Sequence, residues 1–150
     1  MAIGNACNSL GRCDKLTAKE YLNAIRTTDK LINIKNEELY HLQLKVAQIS
    51  PQTKAERVLS SSTSDFMRTV DKIVDLQNEI NREIDYLITI KDEARSKINR
   101  LSDNRYKAVL IDYYINCKTW EQVAEDLQYD LRWVYRIHGR ALQEFSKFIN

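Results

Sequence analysis

The 150-residue sequence predicts an all-α protein: a long antiparallel helical hairpin of coiled-coil character, followed by a C-terminal helix-turn-helix domain. Three observations carry the prediction. Only 3 Gly and 1 Pro occur, against roughly 10 and 7 from average usage, so the tight turns of β folds and the glycine loops of nucleotide-binding folds lack their residues. Apolar residues recur at three–four spacing over two segments of more than 30 residues each, flanking the lone proline. Beyond Leu101 that repeat gives way to shorter periodic segments with capping residues at their starts.

Residues 1–16 hold two of the three glycines and no apolar period, and are expected to form a tail. Thr17 with Glu20 three residues on makes a capping box. The helix it opens runs to Ser50, before Pro51, with Tyr21, Ile25, Ile32, Leu39, Leu42, Val46 and Ile49 on its seam and Thr28 and Lys35 as polar gaps. Residues 51–65 contain the proline and a Ser/Thr cluster and read as the hairpin loop, with Ser64 or Asp65 capping the second helix. Phe66, Val70, Ile73, Ile80, Ile84, Leu87, Ala94, Ile98 and Leu101 then alternate at four and three, with Gln77 and Lys91 as the polar exceptions. At ~1.5 Å per residue the two helices span roughly 48 and 54 Å, a match that suits a hairpin. Leu31, Ile34, Leu44, Val74, Leu76, Tyr86, Ile88 and Ile90 widen the apolar surface beyond a two-helix contact. That surplus calls for a third partner, either the C-terminal domain or another subunit.

In residues 102–150, Ser102 is read as the cap of a helix carrying Tyr106, Val109, Leu110, Tyr113 and Tyr114. Thr119 and Gln122 have capping-box spacing for a short helix bearing Trp120, Val123, Ala124 and Leu127. Gln128 and Tyr129 form the turn, and Asp130 caps a last helix that buries Val134, Ile137, Ala141 and Phe145. Trp120, Trp133 and Tyr129 are read as core.

Composition excludes several functions. The 23 basic and 21 acidic residues leave a net charge of +2, which selects no partner. The three cysteines, Cys7, Cys13 and Cys117, form neither a disulfide framework nor a metal-ligand pattern, and no catalytic motif is present. The expectation is therefore a cytoplasmic, non-enzymatic protein without cofactor, metal site, signal peptide or membrane span. Local charge is more informative: residues 131–150 hold Arg132, Arg136, Arg140 and Lys147 against Glu144 alone. The three arginines recur every four residues, opposite the apolar side of their helix, as a basic stripe.

Residues 101–145, LSDNRYKAVLIDYYINCKTWEQVAEDLQYDLRWVYRIHGRALQEF, resemble the fourth conserved region of the sigma-70 family, which reads the upstream promoter element. The likeness rests on Val109-Leu110, Tyr113-Tyr114, the Thr119-x-Glu121-x-Val123-Ala124-Glu125-x-Leu127 helix, Val134, Ile137 and Arg140-Ala141-Leu142. The segment TAKEYLNAIRTTDKLINIKNEELYHL is similar to ArpU- and RinA-like late transcription activators of phages and integrated elements. The resemblance implies a regulator that binds double-stranded DNA and works with host RNA polymerase, with the hairpin contacting polymerase or a second copy in a homodimer. It nominates Leu131, Arg132, Tyr135 and Arg136 for base edges and Lys118, Thr119 and Arg140 for phosphates. Two departures stand out: sigma-like modules place Gly where this chain has Gln128, and cap the recognition helix with Ser or Thr where it has Asp130. Two other functions compete, a small-terminase-like packaging protein and a helical interaction module without DNA affinity.

Overall fold

The computed structural model describes residues 17–49 and 61–149, and every regular element among them is helical. Helix α1 spans Ala18–Ile49 and α2 spans Ser61–Ile98. Then come α3 (Asn104–Leu110), a π-helical turn (Ile111–Ile115), α4 (Trp120–Asp126), α5 (Leu131–Phe145) and a closing 3-10 turn (Ser146–Phe148). No helix among the described residues is long and apolar enough to cross a membrane. The expected tail and residues 51–60 of the expected loop lie outside the described residues.

The start of α1 is set by its own side chains. Glu20 accepts hydrogen bonds from the Thr17 N–H and hydroxyl, both at 2.8 Å, while the Glu20 N–H donates to Thr17 Oγ1 at 3.2 Å, the reciprocal pair of a capping box. Helix α2 begins earlier than its sequence suggests. Residues 61–65 are already helical, so Ser64 and Asp65 lie inside the helix, and the Asp65 carbonyl accepts from the Thr69 hydroxyl at 2.8 Å. A Ser/Thr run has a low but not prohibitive helix propensity.

The two long helices run antiparallel, as their cross-links show. Lys97 reaches the Tyr21 hydroxyl, Lys91 reaches Asp29, and Lys35 reaches Glu79 and Glu83. Numbers fall along α2 as they rise along α1. Of the four polar seam positions, the two lysines are ion-paired: Lys35 of α1 sits between two α2 carboxylates, and Lys91 of α2 sits 3.0 Å from Asp29 of α1. A lysine in each helix answered by acids in the other specifies one register.

The inner seam of α2 differs from the expected one by a small rotation. Ile80, Leu87, Ile90, Ala94 and Ile98 are buried and Leu76 packs against them, whereas Ile84 is 37% exposed and Gln77 is exposed. Two apolar stripes run side by side on this helix, and sequence spacing alone merges them into one. Leu22 of α1, fully buried, likewise belongs to the seam although the spacing argument omits it.

The C-terminal helices close over the open end of the hairpin. One core cluster joins Leu22, Ile25, Ala94, Ile98 and Leu101 to Leu110, Tyr114, Ile115, Ala141 and Phe145. A second, local cluster of Val109, Val123, Ala124, Val134 and Ile137 holds α3, α4 and α5 to one another. Residues 17–101 and 102–149 therefore share a core across the 101/102 boundary. The π-helical turn makes the join possible: Val109/Leu110 and Tyr114/Ile115 are buried pairs five residues apart, a repeat that i→i+5 bonding accommodates, with the Asn116 N–H donating to the Ile111 carbonyl at 2.9 Å.

Asp103, rather than Ser102, caps α3, accepting from the Arg105 N–H at 2.8 Å. Ser102 instead donates its N–H and hydroxyl to Glu144, both at 2.9 Å, tying the start of the C-terminal unit to the end of α5. A serine and an aspartate in succession are equivalent cap candidates in sequence, and the reach of Glu144 separates them.

Candidate nucleic-acid interface

The candidate interface is built on α4, the turn after it, and α5. Thr119 and Gln122 form the expected capping box: the Gln122 N–H donates to Thr119 Oγ1 at 3.3 Å and the Thr119 N–H to Gln122 Oε1 at 2.9 Å. The chain then reverses through Gln128, whose φ is 55°. That is the left-handed region, which glycine enters without strain and which this turn reaches with a side chain attached. Tyr129, half-buried, packs on the local core, and Asp130 caps α5 by accepting from the Arg132 N–H at 2.8 Å.

Helix α5 is two-faced. Val134, Ile137, Ala141 and Phe145 are buried; Arg132, Arg136, Gly139, Arg140 and Gln143 are exposed. Among the described residues no carboxylate pairs with Arg132, Arg136 or Arg140. Most acids of this unit are engaged elsewhere: Asp103 with Arg105, Asp112 and Asp126 with Lys118, Glu144 with Ser102, and Asp130 at its cap. An unpaired cationic row on a rigid helix offers full charge to an anion arriving from solvent.

The nominated residues do not all stand alike. Arg132 and Arg136 project from the first two turns of α5, and Tyr135, 46% exposed, stands beside them. Asp130, Leu131, Arg132 and Tyr135 line a shallow depression at the start of the helix. Leu131 is half-buried against the local core, so only its outer edge reaches that depression. Thr119 is exposed, and its Oγ1, an acceptor in the cap, keeps its hydroxyl hydrogen to donate outward. Arg140 lies further along the same exposed side. Lys118 is different: its ammonium bridges Asp112 at 2.9 Å and Asp126 at 2.8 Å, and those hydrogen bonds raise its pKa. It clamps the linker before α4 to the helices on either side.

Trp133 departs from its reading as core, being 36% exposed at the edge of the basic face. Its spacing of seven from Arg140 is the signal that places both on one line of the helix. Trp120, by contrast, is an internal strut. Its ring stacks on Tyr113 at 3.6 Å between centroids and 13° between planes, and meets His138 and Tyr135 edge-on at 4.7 and 5.2 Å. The Arg26 guanidinium lies 4.1 Å from the Tyr113 ring centroid, and its Nη1 donates to the carbonyls of Tyr113 and Lys118. A column of Arg26, Tyr113 and Trp120 thus sets the interface helices on the hairpin. Sequence spacing could not find it, since Arg26 and Tyr113 are 87 residues apart.

Beneath the interface, His138 is kept neutral. Burial, and secondarily the charge of Lys19, lowers its pKa to about 4, and Tyr114, whose own pKa burial raises to about 12, lies 3.0 Å from Nε2. With the Tyr114 hydroxyl as donor, Nε2 is the acceptor. Cys117 is half-buried at φ 55°, with its thiol pKa raised chiefly by burial. Among the described residues no group of His, Cys, Asp or Glu could hold a metal ion, and Cys7 and Cys13 lie outside them.

Fold and site together define an all-helical protein that presents an unpaired arginine face on a helix packed across the end of a hairpin. The chain belongs to the family described as Protein of unknown function (DUF1492), whose model matches residues 49–146, from the end of α1 through α5. No curated protein and no solved structure matches the chain.

Proposed function

We propose that this protein is a DNA-binding transcriptional regulator of phage or mobile-element type, reading promoter DNA through α4 and α5 and acting with host RNA polymerase. The observation that carries the reading is the row Arg132, Arg136 and Arg140, exposed and without carboxylate partners on a helix that a short turn joins to α4. In this reading the first turns of α5 enter the major groove, with Arg132 and Arg136 able to bind guanine bidentately and Tyr135 beside them. Arg140 and the Thr119 hydroxyl bind phosphates. Lys118, already held by Asp112 and Asp126, offers less free charge to a phosphate than Arg140 does. Asp130 caps α5 with a carboxylate, which offers no donor to a phosphate.

The test is binding of the purified protein to the DNA upstream of its own gene, against a scrambled duplex, at two salt concentrations. Selective binding that weakens steeply with salt is expected. Arg132→Ala with Arg136→Ala should remove selectivity, each lost guanine contact lowering affinity about 5- to 150-fold at ~1–3 kcal/mol. Retained selectivity in the double variant sinks the assignment. Salt-independent or absent binding favours a protein-interaction module instead.

A further inference from the structure

Beside its inner seam, α2 carries a second, largely exposed apolar stripe that ends on Lys91, the residue paired with Asp29 of α1. Met67, Val70, Val74, Gln77, Asn81, Ile84, Ile88 and Lys91 follow one another at alternating intervals of three and four without a break. Met67, Val74 and Ile88 are each more than half exposed. We propose that this stripe is the interface of a homodimer, in which two α2 helices pack antiparallel about a two-fold axis near residue 79.

The stripe is complementary to itself in that antiparallel arrangement. A two-fold axis across the helix sets residue i of one copy against a residue j of the other, and j against i. With the axis near residue 79, Val70 faces Ile88, Val74 faces Ile84, Gln77 faces Asn81 and Met67 faces Lys91, pairs whose numbers all add to 158. Apolar residues meet apolar ones in four layers. The two central layers each join a glutamine to an asparagine, and each amide can both donate and accept. Sliding one copy by a heptad sets Gln77 against Ile88 or Val74, burying an amide without a partner. The polar centre therefore selects the register, as a polar seam residue does in other coiled coils.

Orientation follows from where the C-terminal unit sits. It packs at the Ile88 end of the hairpin, where Arg26 holds the carbonyls of Tyr113 and Lys118 and where Asp29 and Lys91 influence Cys117. A parallel pair would crowd two such units onto one end, whereas the antiparallel pair sends them to opposite ends of a seam roughly 36 Å long at ~1.5 Å per residue. The inference is independent of whether α5 binds DNA.

Light scattering on the full chain should give twice the protomer mass. Val74→Glu with Ile84→Glu should give a monomer of unchanged helicity by circular dichroism, because both side chains are exposed in the protomer. For the register, Val74→Cys and Ile84→Cys variants, each also carrying Cys7→Ser, Cys13→Ser and Cys117→Ser, are mixed and oxidised. A disulfide between the two variants, and none within either alone, is the expected result. A monomeric parent chain, a glutamate variant that stays dimeric, or a Val74→Cys variant that cross-links to itself overturns the proposal. So does a chain that dimerises only when residues 1–16 are deleted, since the tail would then be the occupant of the stripe.

Discussion

The hydroxyl of Tyr114 lies 3.0 Å from Nε2 of His138, joining the π-helical turn to α5 beneath the arginine face. Burial keeps the ring neutral by lowering its pKa to about 4. An unfolded chain takes up this proton near pH 6.5.

Stability should therefore depend on pH in a defined window. Between pH 6.5 and about 4 the unfolded chain binds the proton and the folded one does not, so stability present at neutral pH is lost as pH falls through that range, by roughly 2–3 kcal/mol. Urea unfolding of the parent chain at pH 7 and pH 5 measures the loss. His138→Gln, which keeps an acceptor but does not titrate, should flatten the difference; an unchanged pH dependence in that variant would refute the coupling.

Arg26 contributes through geometry as much as charge. Its Nη1 satisfies two carbonyls at the end of the π-helical turn while its plane covers Tyr113. Arg26→Ala should lower stability by about 2–3 kcal/mol, and Arg26→Lys should recover less than half of that, because a lysine cannot stack and bridge at once. Thermal melts followed at 222 nm and by tryptophan fluorescence, which reports the Trp120 stack, check both.

Two backbone positions predict gains in stability. Gln128 at φ 55° bears a strain that glycine would not, so Gln128→Gly should be neutral or stabilising by up to about 1 kcal/mol, whereas Gln128→Val should destabilise. Gly139 is the converse case. A Cβ there meets nothing within 4 Å, so Gly139→Ala should stabilise α5 by about 0.5–1 kcal/mol in chemical denaturation.

Lys35 should matter more than an exposed lysine ordinarily does. It holds Glu79 and Glu83 together, and Glu83 Oε2 is a buried atom without a hydrogen-bond partner. Lys35→Met should lower the melting temperature by leaving Glu83 in the seam without its cation. Adding Glu83→Leu should restore it, and a double variant no better than the single one would show that the pair does not set the register.

The helical class was legible because helix periodicity, caps and scarce glycine are local properties. The capping boxes at Thr17–Glu20 and Thr119–Gln122 and the Asp130 cap depend on side chains within three residues of one another, and each forms. The exposed arginine row is local in the same way, since spacing along one helix fixes which residues share a face. Where two local answers were equivalent, spacing could not choose. Ser102 and Asp103 are both cap-forming residue types, and Ile84 and Leu76 both fit a heptad.

By itself, then, the sequence determined the helices, most of their boundaries and the two-faced character of α5. Tertiary structure decided the rest: which of two stripes on α2 faces α1, that Lys118 clamps the linker rather than standing free, that Trp133 lies at the surface, and that Arg26 carries the column under the interface. The physical reason is range. A helix needs only its neighbours in sequence to form and to sort its faces, whereas the partner of each face is chosen by burial and ion pairing across many residues, which no local spacing records.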